Sequence, residues 1–172
     1  CAGGAVYSPA ITYFIFMVED SSYMFVTGPD VVKTVTHETV SAEELGGALT
    51  HSSKSGVADL AFANDIEALE KVRQFFNYLP ANNREKPPVW PTEDSAGRIE
   101  MSLDTLVPTD PNKPYDMTEV ILKVADEGTF FETQVNYAKN IITGFIRIEG
   151  STVGVVANQP MVLAGCLDID AS

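Results

Sequence analysis

The sequence predicts a mixed α/β fold from three patterns along the chain. Segments rich in aromatic and β-branched side chains lie near both ends, at residues 13–18 and 141–148, and such segments are typical of strands. Apolar residues spaced three to four apart over 64–79 predict an amphipathic helix. A proline-dense stretch at 80–116 separates the two. We therefore expect two α/β parts joined by an extended segment.

The first part opens with a glycine-rich turn at residues 1–10 that leads into a short helix. Residues 13–18 (YFIFMV) and 23–27 (YMFVT) predict two strands with a polar connection between them. The Gly-Pro-Asp sequence at 28–30 predicts a turn, because proline favours the first position of a helix. The valines of residues 31–35 then predict one helical turn.

Further along, Ser41 and Glu44 match a capping box, so a helix should begin after Ser41 and end at the glycine pair 46–47. Residues 51–56 predict a polar loop. The helix at 64–79 has the most regular pattern, because acidic residues favour its start and its apolar stripe is continuous. That stripe contains Ile66, Leu69, Val72, Phe76 and Leu79.

Residues 80–116 predict a linker. They contain seven of the ten prolines, a density that excludes a regular helix or a central strand. An extended crossing segment between two domains fits this composition. The seven are Pro80, Pro87, Pro88, Pro91, Pro108, Pro111 and Pro114.

The second part begins with a predicted helix at 117–125 and a short predicted strand at 130–132. Residues 141–148 and 152–157 predict a hairpin, with its turn at the Glu-Gly pair 149–150.

The charge of the chain limits its partners. The formal net charge is -13, from 24 acidic and 11 basic residues, which disfavours nucleic acid and anionic membranes as partners. No apolar run reaches the roughly 18 residues of a membrane span. An anionic ligand such as coenzyme A would need a local cationic or dipolar pocket.

The cysteines and the ends add two expectations. Cys1 and Cys166 form no CxxC pair, so a reducing, cytoplasm-like compartment is the better fit. The chain starts without methionine and stops at a helix N-cap sequence, so we expect both ends to be cuts through a larger protein. A processed small protein is the alternative.

Several long motifs resemble the carboxyltransferase β subunits of biotin-dependent acyl-CoA carboxylases, of the propionyl-CoA carboxylase kind. The similarity runs in order across essentially all 172 residues, so the chain is identified as an internal segment of such a subunit. Methylmalonyl-CoA decarboxylase α subunits and the large transcarboxylase subunit share much of it. The motifs are CAGGAVYSPA, SYMFVTGPDVVKTVT, EELGGALTHSSKSGVA, NYLP, NYAKNIITGF and VGVVANQP followed by AGCLDI.

The resemblance implies a crotonase-like fold, built in this family from two tandem domains. Residues 1–79 would be the later part of the first domain, and residues 141–172 would open the second. Residues 80–140 would be the linker with its short helix. The family assembles as a hexamer, with acyl-CoA bound mainly by the first domain of one subunit and biotin by the second domain of another.

The resemblance also implies the chemistry. Carboxybiotin releases CO2, and its ureido nitrogen then removes the α proton of an acyl-CoA, whose enolate attacks CO2. Negative charge develops on the thioester oxygen, where a backbone N–H donor is worth roughly 3 kcal/mol. Gly3 and Gly4 match the glycine pair that supplies such donors. The alternative is a helix-packing turn without a catalytic role.

Other site residues follow from the same resemblance. Ala5 and Tyr7 would border the acyl-CoA, although Tyr7 and Tyr137 fit a hydrophobic core equally well. His51 lies in the matching THSSKSG motif and would line the site. A hydrogen bond that orders its own loop is the alternative we prefer for His51.

The second part supplies the expected biotin contacts. Asn158 and Gln159 follow the predicted hairpin, and Ala164 and Gly165 come shortly after. They resemble the loop that borders the ligand in crotonase-like domains, and here that ligand would be biotin. A simple turn at the end of a strand explains the same residues.

The implied cofactor is biotin, carried by a biotin carboxylase and biotin carrier α subunit that would also hold the ATP site. No metal site is expected, because the chain has only two histidines, His37 and His51. The implied compartment is the cytoplasm, or the mitochondrial matrix if the source is eukaryotic.

Two positions depart from the family pattern. Tyr13 stands where the family usually has an aspartate, and we expect the loss of a buried acid to alter packing near the acyl pocket. Asp59 stands where many relatives have histidine, and we assign it no function.

Two other functions remain open. One is a methylmalonyl-CoA decarboxylase or transcarboxylase subunit, which shares the motifs. The other is a non-catalytic protein of crotonase-like fold that binds an acyl-CoA or assembles with a partner. In each case we expect the chain by itself to be inactive, because the small-residue turn that serves biotin in this family is missing from it.

Overall fold

A computed structural model describes all residues, 1–172, and divides them into two compact units. The first unit contains residues 1–72 and 134–137, and the second contains residues 73–133 and 138–172. Residues 80–116, the predicted linker, therefore lie within the second unit.

The first unit is built on a two-stranded parallel sheet of β1 (Phe16–Val18) and β2 (Leu60–Phe62), with Met17 opposite Ala61. The strand predicted at 13–18 is thus confirmed but shorter. Sequence analysis missed β2, because a run of three residues is too short to show a period. The core that packs against this sheet consists of Val6, Ile15, Met17, Met24, Ala48 and Ala58.

The strand predicted at 23–27 is wrong. This segment makes only isolated bridges, a parallel one between Ala2 and Phe25 and an antiparallel one between Tyr23 and Gly47. Successive residues therefore pair with different parts of the chain, so no continuous ladder forms. High strand propensity therefore does not decide the pairing of these residues, because tertiary contacts determine their partners.

Short helices precede β1 and lie between β1 and β2. α1 (Tyr7–Ala10) precedes β1, and α2 (Pro29–Thr36) starts with proline in its first turn, as predicted, but is longer than the single turn expected. α3 (Ala42–Gly46) begins with the predicted capping box, in which Glu44 N–H donates to Ser41 Oγ and Ser41 N–H donates to Glu44 Oε2.

The polar loop predicted at 51–56 is correct only for residues 54–56, because α4 (Ala48–Ser53) includes His51. Gly47 has an extended backbone that ends α3 and serves as the N-cap of α4. His51, Ser52 and Ser53 lie on this helix, and Ser52 is buried.

The long helix α5 (Asp65–Phe76) confirms the strongest helix prediction. Its predicted apolar stripe, however, is largely exposed: Ile66 is 73% exposed and Leu69 is 64% exposed. Ala68 and Phe75 are the buried residues of the helix instead. The periodicity predicted the helix correctly but not the face that the rest of the chain covers.

In the second unit, residues 80–102 and 107–116 contain no helix or strand, as the prolines predict, and α6 (Leu103–Leu106) lies between them. α7 (Met117–Val124) confirms the predicted helix, with Asp116 as its N-cap. Ile121 and Ala125 pack against Ile142 and Ile146 of the sheet described next.

The second sheet is antiparallel, in the order β3-β4-β5, and confirms the predicted strands. Its strands are β3 (Phe131–Thr133), β4 (Ile141–Ile148) and β5 (Ser151–Asn158). Glu149 and Gly150 join β4 to β5 with φ values of 51° and 74°. Positive φ at both positions is the geometry of a two-residue hairpin turn, which favours glycine.

None of the helices has the length and the apolar character that crossing a bilayer would require.

Candidate functional site

The chain opens with a tight turn at Gly3, which is the first residue of a 3-10 helix, Gly3–Val6. Ala2 is extended, and Gly3 has a φ of 57°, in the left-handed region where glycine is favoured. The helix continues into α1, and Val6 is buried in the core of the first unit. The glycine at position 3 therefore has a conformational reason within this chain.

The two glycine amides differ in their partners. Gly3 N–H donates to Val26 O at 3.1 Å, so it is engaged within the chain. Gly4 occupies the second position of the 3-10 helix, where the N–H has no intrahelical acceptor. No other partner exists for it in the structure, and no atom lies within 4 Å of where a Cβ on Gly4 would be. Gly4 is exposed, so its amide is open to a ligand.

The predicted acyl-CoA neighbours Ala5 and Tyr7 lie on the same continuous helical segment as Gly4. Both are exposed, and Tyr7 is not a core residue of this chain. Tyr137, the other tyrosine considered, packs its ring against Gly56, where a Cβ would lie 2.7 Å from the ring.

His51 uses both ring nitrogens within the first unit. Nε2 lies 2.8 Å from Met24 O and Nδ1 lies 2.8 Å from Ser55 Oγ. A carbonyl oxygen can only accept, so Nε2 carries the proton and donates to Met24 O. Ser55 O–H then donates to Nδ1. These contacts favour the ordering role over direct substrate binding, and they join α4 to the segment around Met24.

Tyr13 does not alter the packing, contrary to expectation. Its side chain is 95% exposed, so the ring fills no internal volume and displaces no buried acid in this chain. The expected disturbance of a buried site at position 13 is therefore wrong here.

Asp59, to which the sequence assigned no function, is a buried acid. Its Oδ2 accepts a hydrogen bond from Ile15 N–H at 2.7 Å, and its own N–H donates to Ile15 O at 2.8 Å. Desolvation by burial raises the pKa of the Asp59 carboxyl, although the Ile15 hydrogen bond opposes the shift. Asp59 thus fastens the start of β2 to the segment before β1.

The predicted biotin contacts lie in the second unit, and Gln159 is the one among them that is buried. Gln159 is buried; its Nε2 donates to Asp116 Oδ1 at 2.8 Å, and its Oε1 accepts from Met117 N–H and Met161 N–H. Through these bonds Gln159 fastens the end of β5 to the N-terminus of α7. Gln159 also lowers the pKa of the Asp116 carboxyl, because its amide donates to it.

Asn158 Nδ2 donates to Gly165 O, so it holds the turn that follows β5. Ala164 and Gly165 belong to a 3-10 turn, Leu163–Gly165, in which Ala164 has a φ of 52° and Gly165 has a φ of 71°. Both polar atoms of the Gln159 side chain are therefore engaged, which fits the strand-end alternative, whereas Asn158 is exposed and only its Nδ2 has a partner within the chain. Ala164 is exposed.

Sequence analysis missed the segment that supports the opening turn, Met24–Val26, because it interpreted these residues as one strand of a sheet. The glycine pair 46–47 carried a usable signal: a Cβ on Gly46 would lie 2.2 Å from Met24 O, so glycine permits this close approach. No group of three or more histidine, cysteine, aspartate or glutamate residues is arranged to hold a metal ion.

Comparison with known proteins supplies a family. The family model described as "Carboxyl transferase domain" matches residues 1–172. The chain is 74% identical, over its whole length, to the propionyl-CoA carboxylase beta chain of Roseobacter denitrificans, of which it covers 34%. It is 53% identical over 99% of its length to methylmalonyl-CoA decarboxylase subunit alpha of Propionigenium modestum, of which it covers 33%.

Among solved structures, transcarboxylase 12S with hydrolyzed methylmalonyl-coenzyme A bound has a TM-score of 0.94 and 43% identity, over 99% of this chain and 34% of that one. This likeness confirms the predicted crotonase-like α/β fold class. The chain spans about a third of the length of the curated relatives it matches.

Proposed function

The chain belongs to the carboxyl transferase domain family, and we propose that it forms part of a carboxyltransferase that carboxylates the α carbon of a short-chain acyl-CoA such as propionyl-CoA. The greater similarity to a propionyl-CoA carboxylase beta chain than to a decarboxylase subunit supports a carboxylase. The decarboxylase and the non-catalytic alternatives are not favoured.

Biotin, when bound in its carboxylated form, would supply the CO2 and a basic ureido nitrogen for the α proton of the acyl-CoA. The α carbon loses that proton and forms a new C–C bond to CO2. Between these events the electron pair is delocalised onto the thioester oxygen. A fixed N–H donor at that oxygen lowers the barrier, because it interacts more strongly with the anion than with the ground-state carbonyl.

Gly4 is the residue of this chain that we assign to this task. Its N–H lacks a protein acceptor, and a Cβ added to Gly4 would meet no atom from elsewhere in the chain within 4 Å; these two observations carry the proposal. Gly3 serves differently: its left-handed backbone forms the turn, and its N–H holds the turn to Val26. Ala5 and Tyr7 remain predicted neighbours of the acyl-CoA.

We propose no biotin contact for the Gln159 side chain, since both of its polar atoms are engaged within the second unit, and Asn158 stays a predicted neighbour of biotin through its exposed side chain. Ala164 and Gly165 stay predicted neighbours of biotin through their backbone. We further propose that residues 1–79 and 141–172 belong to two successive crotonase-like domains.

The proposed partners are an α subunit carrying biotin carboxylase and biotin carrier functions, and other copies in a hexamer. The hexamer assembly described for transcarboxylase 12S supports the second of these. The proposed compartment is the cytoplasm, or the mitochondrial matrix in a eukaryotic source.

The test uses the full-length carboxyltransferase subunit that carries this chain, together with its biotinylated partner. Labelled bicarbonate should be incorporated into propionyl-CoA, and acetyl-CoA and butyryl-CoA measure the chain-length preference. Gly4→Ala places a methyl group where the thioester should approach, so kcat/KM should fall about 100-fold. Turnover equal to that of wild type in Gly4→Ala would remove Gly4 from the mechanism, and no incorporation by wild type would refute the function.

Gly97→Ala is the matched control, because Gly97 is also exposed and has no left-handed φ, and its Cβ would meet only Ser95 Oγ at 3.8 Å. This variant should carboxylate propionyl-CoA at the wild-type rate. The 172 residues alone should show no turnover.

A further inference from the structure

The opening turn is held in place by one short segment, Met24–Val26, which we call the supporting segment. Gly3 N–H donates to Val26 O at 3.1 Å, and Phe25 N–H donates to Cys1 O at 3.1 Å. These two bonds lie on either side of Ala2, which forms an isolated parallel bridge with Phe25. The location of Gly4, one residue after Gly3, therefore depends on the location of the supporting segment.

The supporting segment is fixed from its other side by α3 and α4. Met24 N–H donates to Gly46 O at 2.9 Å, and His51 Nε2–H donates to Met24 O at 2.8 Å. The Met24 side chain is buried in the same cluster as Val6 of the opening helix. His51 is the side chain that satisfies the Met24 carbonyl, so its loss would leave that carbonyl without this donor.

We infer that His51 is a positioning residue, which sets the location of the Gly4 amide through Met24, Val26 and Gly3. The inference rests on the proposed function of Gly4. It replaces the predicted contact between His51 and substrate with an indirect role, since both ring nitrogens already have protein partners. A donor displaced from the thioester oxygen stabilises the transition state less, while binding of the acyl-CoA elsewhere is unchanged.

Two substitutions separate the role of Nε2 from that of the rest of the ring. In His51→Gln the side-chain amide nitrogen reaches the location of Nε2 and keeps the bond to Met24 O. In His51→Asn the shorter side chain reaches only the location of Nδ1, so it keeps the contact with Ser55 and loses the bond to Met24. His37→Asn is the control, because His37 is exposed and its φ of 62° suits asparagine.

In the full-length subunit, His51→Asn should lower kcat for propionyl-CoA carboxylation about tenfold and leave KM within about twofold of wild type. His51→Gln should restore kcat to within about twofold of wild type, and His37→Asn should have no effect. Equal kcat in His51→Asn and wild type, or equal losses in His51→Asn and His51→Gln, would overturn the inference.

A second measurement does not depend on turnover. Hydrogen exchange at the Gly3 amide, which Val26 O protects, should become about tenfold faster in His51→Asn and stay unchanged in His51→Gln. Unchanged exchange at Gly3 in His51→Asn overturns the positioning role whatever the activity. Faster exchange at Gly3 in a subunit without carboxylation would retain the positioning role and refute only the proposed function.

Discussion

Two glycine-containing turns, Gly3-Gly4 at the start of the chain and Glu149-Gly150 at the hairpin tip, use their backbone amides in opposite ways. At the hairpin tip both amides are engaged: Glu149 N–H donates to Asp126 Oδ1 at 3.1 Å and Gly150 N–H donates to Asp126 Oδ2 at 2.7 Å. At the opening turn only Gly3 N–H has a partner.

The two turns also differ in how closely other atoms of the chain approach their glycines. A Cβ on Gly150 would lie 1.9 Å from Trp90 O, whereas a Cβ on Gly4 would meet nothing within 4 Å. Packing within the chain therefore requires glycine at position 150, but it does not require glycine at position 4. Open space around Gly4, together with an amide that has no partner, fits the role at the thioester that we propose for Gly4.

The largest expected effect is on the free energy of unfolding, which should distinguish the glycine of the hairpin tip from that of the opening turn. Gly150→Ala places a methyl group against Trp90 O at a φ of 74°, so the free energy of unfolding should fall by about 3 kcal/mol. Gly4→Ala should change it by less than about 0.5 kcal/mol. Denaturant titration of both variants measures the difference.

Gly154→Ala is the matched control for Gly150→Ala, since Gly154 lies on β5 and a Cβ there meets no atom within 4 Å. Gly154→Ala should leave the free energy of unfolding close to that of wild type. A stability loss in Gly4→Ala as large as that in Gly150→Ala would erase the distinction between the two turns.

Asp126→Ala tests whether the hairpin amides depend on their carboxylate. Asp126 is buried, and its removal leaves two backbone N–H groups at the tip without their acceptor. The free energy of unfolding should fall by about 2–3 kcal/mol. Hydrogen exchange at Gly150 should accelerate with it, and protection of Gly150 at the wild-type level would contradict this account of the tip.

Ser41→Ala measures a polar contact that is purely local. Ser41 Oγ accepts from Glu44 N–H in the capping box of α3, so the variant should lose about 1 kcal/mol. Ser41→Asp retains an N-cap acceptor and should recover most of that loss. A loss of unfolding free energy equal to that of Asp126→Ala would mean that the exposed cap of α3 stabilises the chain as much as the buried contacts of the hairpin tip do.

The smallest expected effect is a change in pH dependence at Asp59. Burial raises the pKa of its carboxyl above the ordinary value of 3.8, so the folded chain binds this proton more tightly than the unfolded chain does. The stability from this source is fully present below about pH 4 and is lost as the pH rises through the raised pKa. Asp59→Asn keeps an acceptor for Ile15 N–H and should remove this decline.

Denaturation of Asp59→Asn and wild type at a series of pH values from 4 to 7 tests the sign. The difference in unfolding free energy should shift in favour of the variant as the pH rises. A shift in the opposite direction would show that the Ile15 hydrogen bond outweighs the desolvation of the carboxylate.

Local sequence predicted the elements whose determinants lie within a few residues. The capping box at Ser41 and the hairpin at Glu149-Gly150 were correct, because neighbouring backbone and side-chain groups form them. The strand predicted at 23–27 was wrong, and the loop predicted at 51–56 was correct only at 54–56, because the environment of these residues comes from distant parts of the chain. For the site, the motif indicated the glycine pair, but only the structure showed that the Gly3 amide has a partner and the Gly4 amide has none.

The sequence by itself determined the family, the helices with regular patterns and the turns that need glycine, since each depends on residue types at short spacing. Only the tertiary structure decided which groups remain free. The partners of Gly3 N–H, His51 Nε2 and the Gln159 side chain lie 23, 27 and 43 positions away. A hydrogen bond between residues this far apart in the sequence produces no periodic pattern, because the residues next to each partner can vary while the bond is kept.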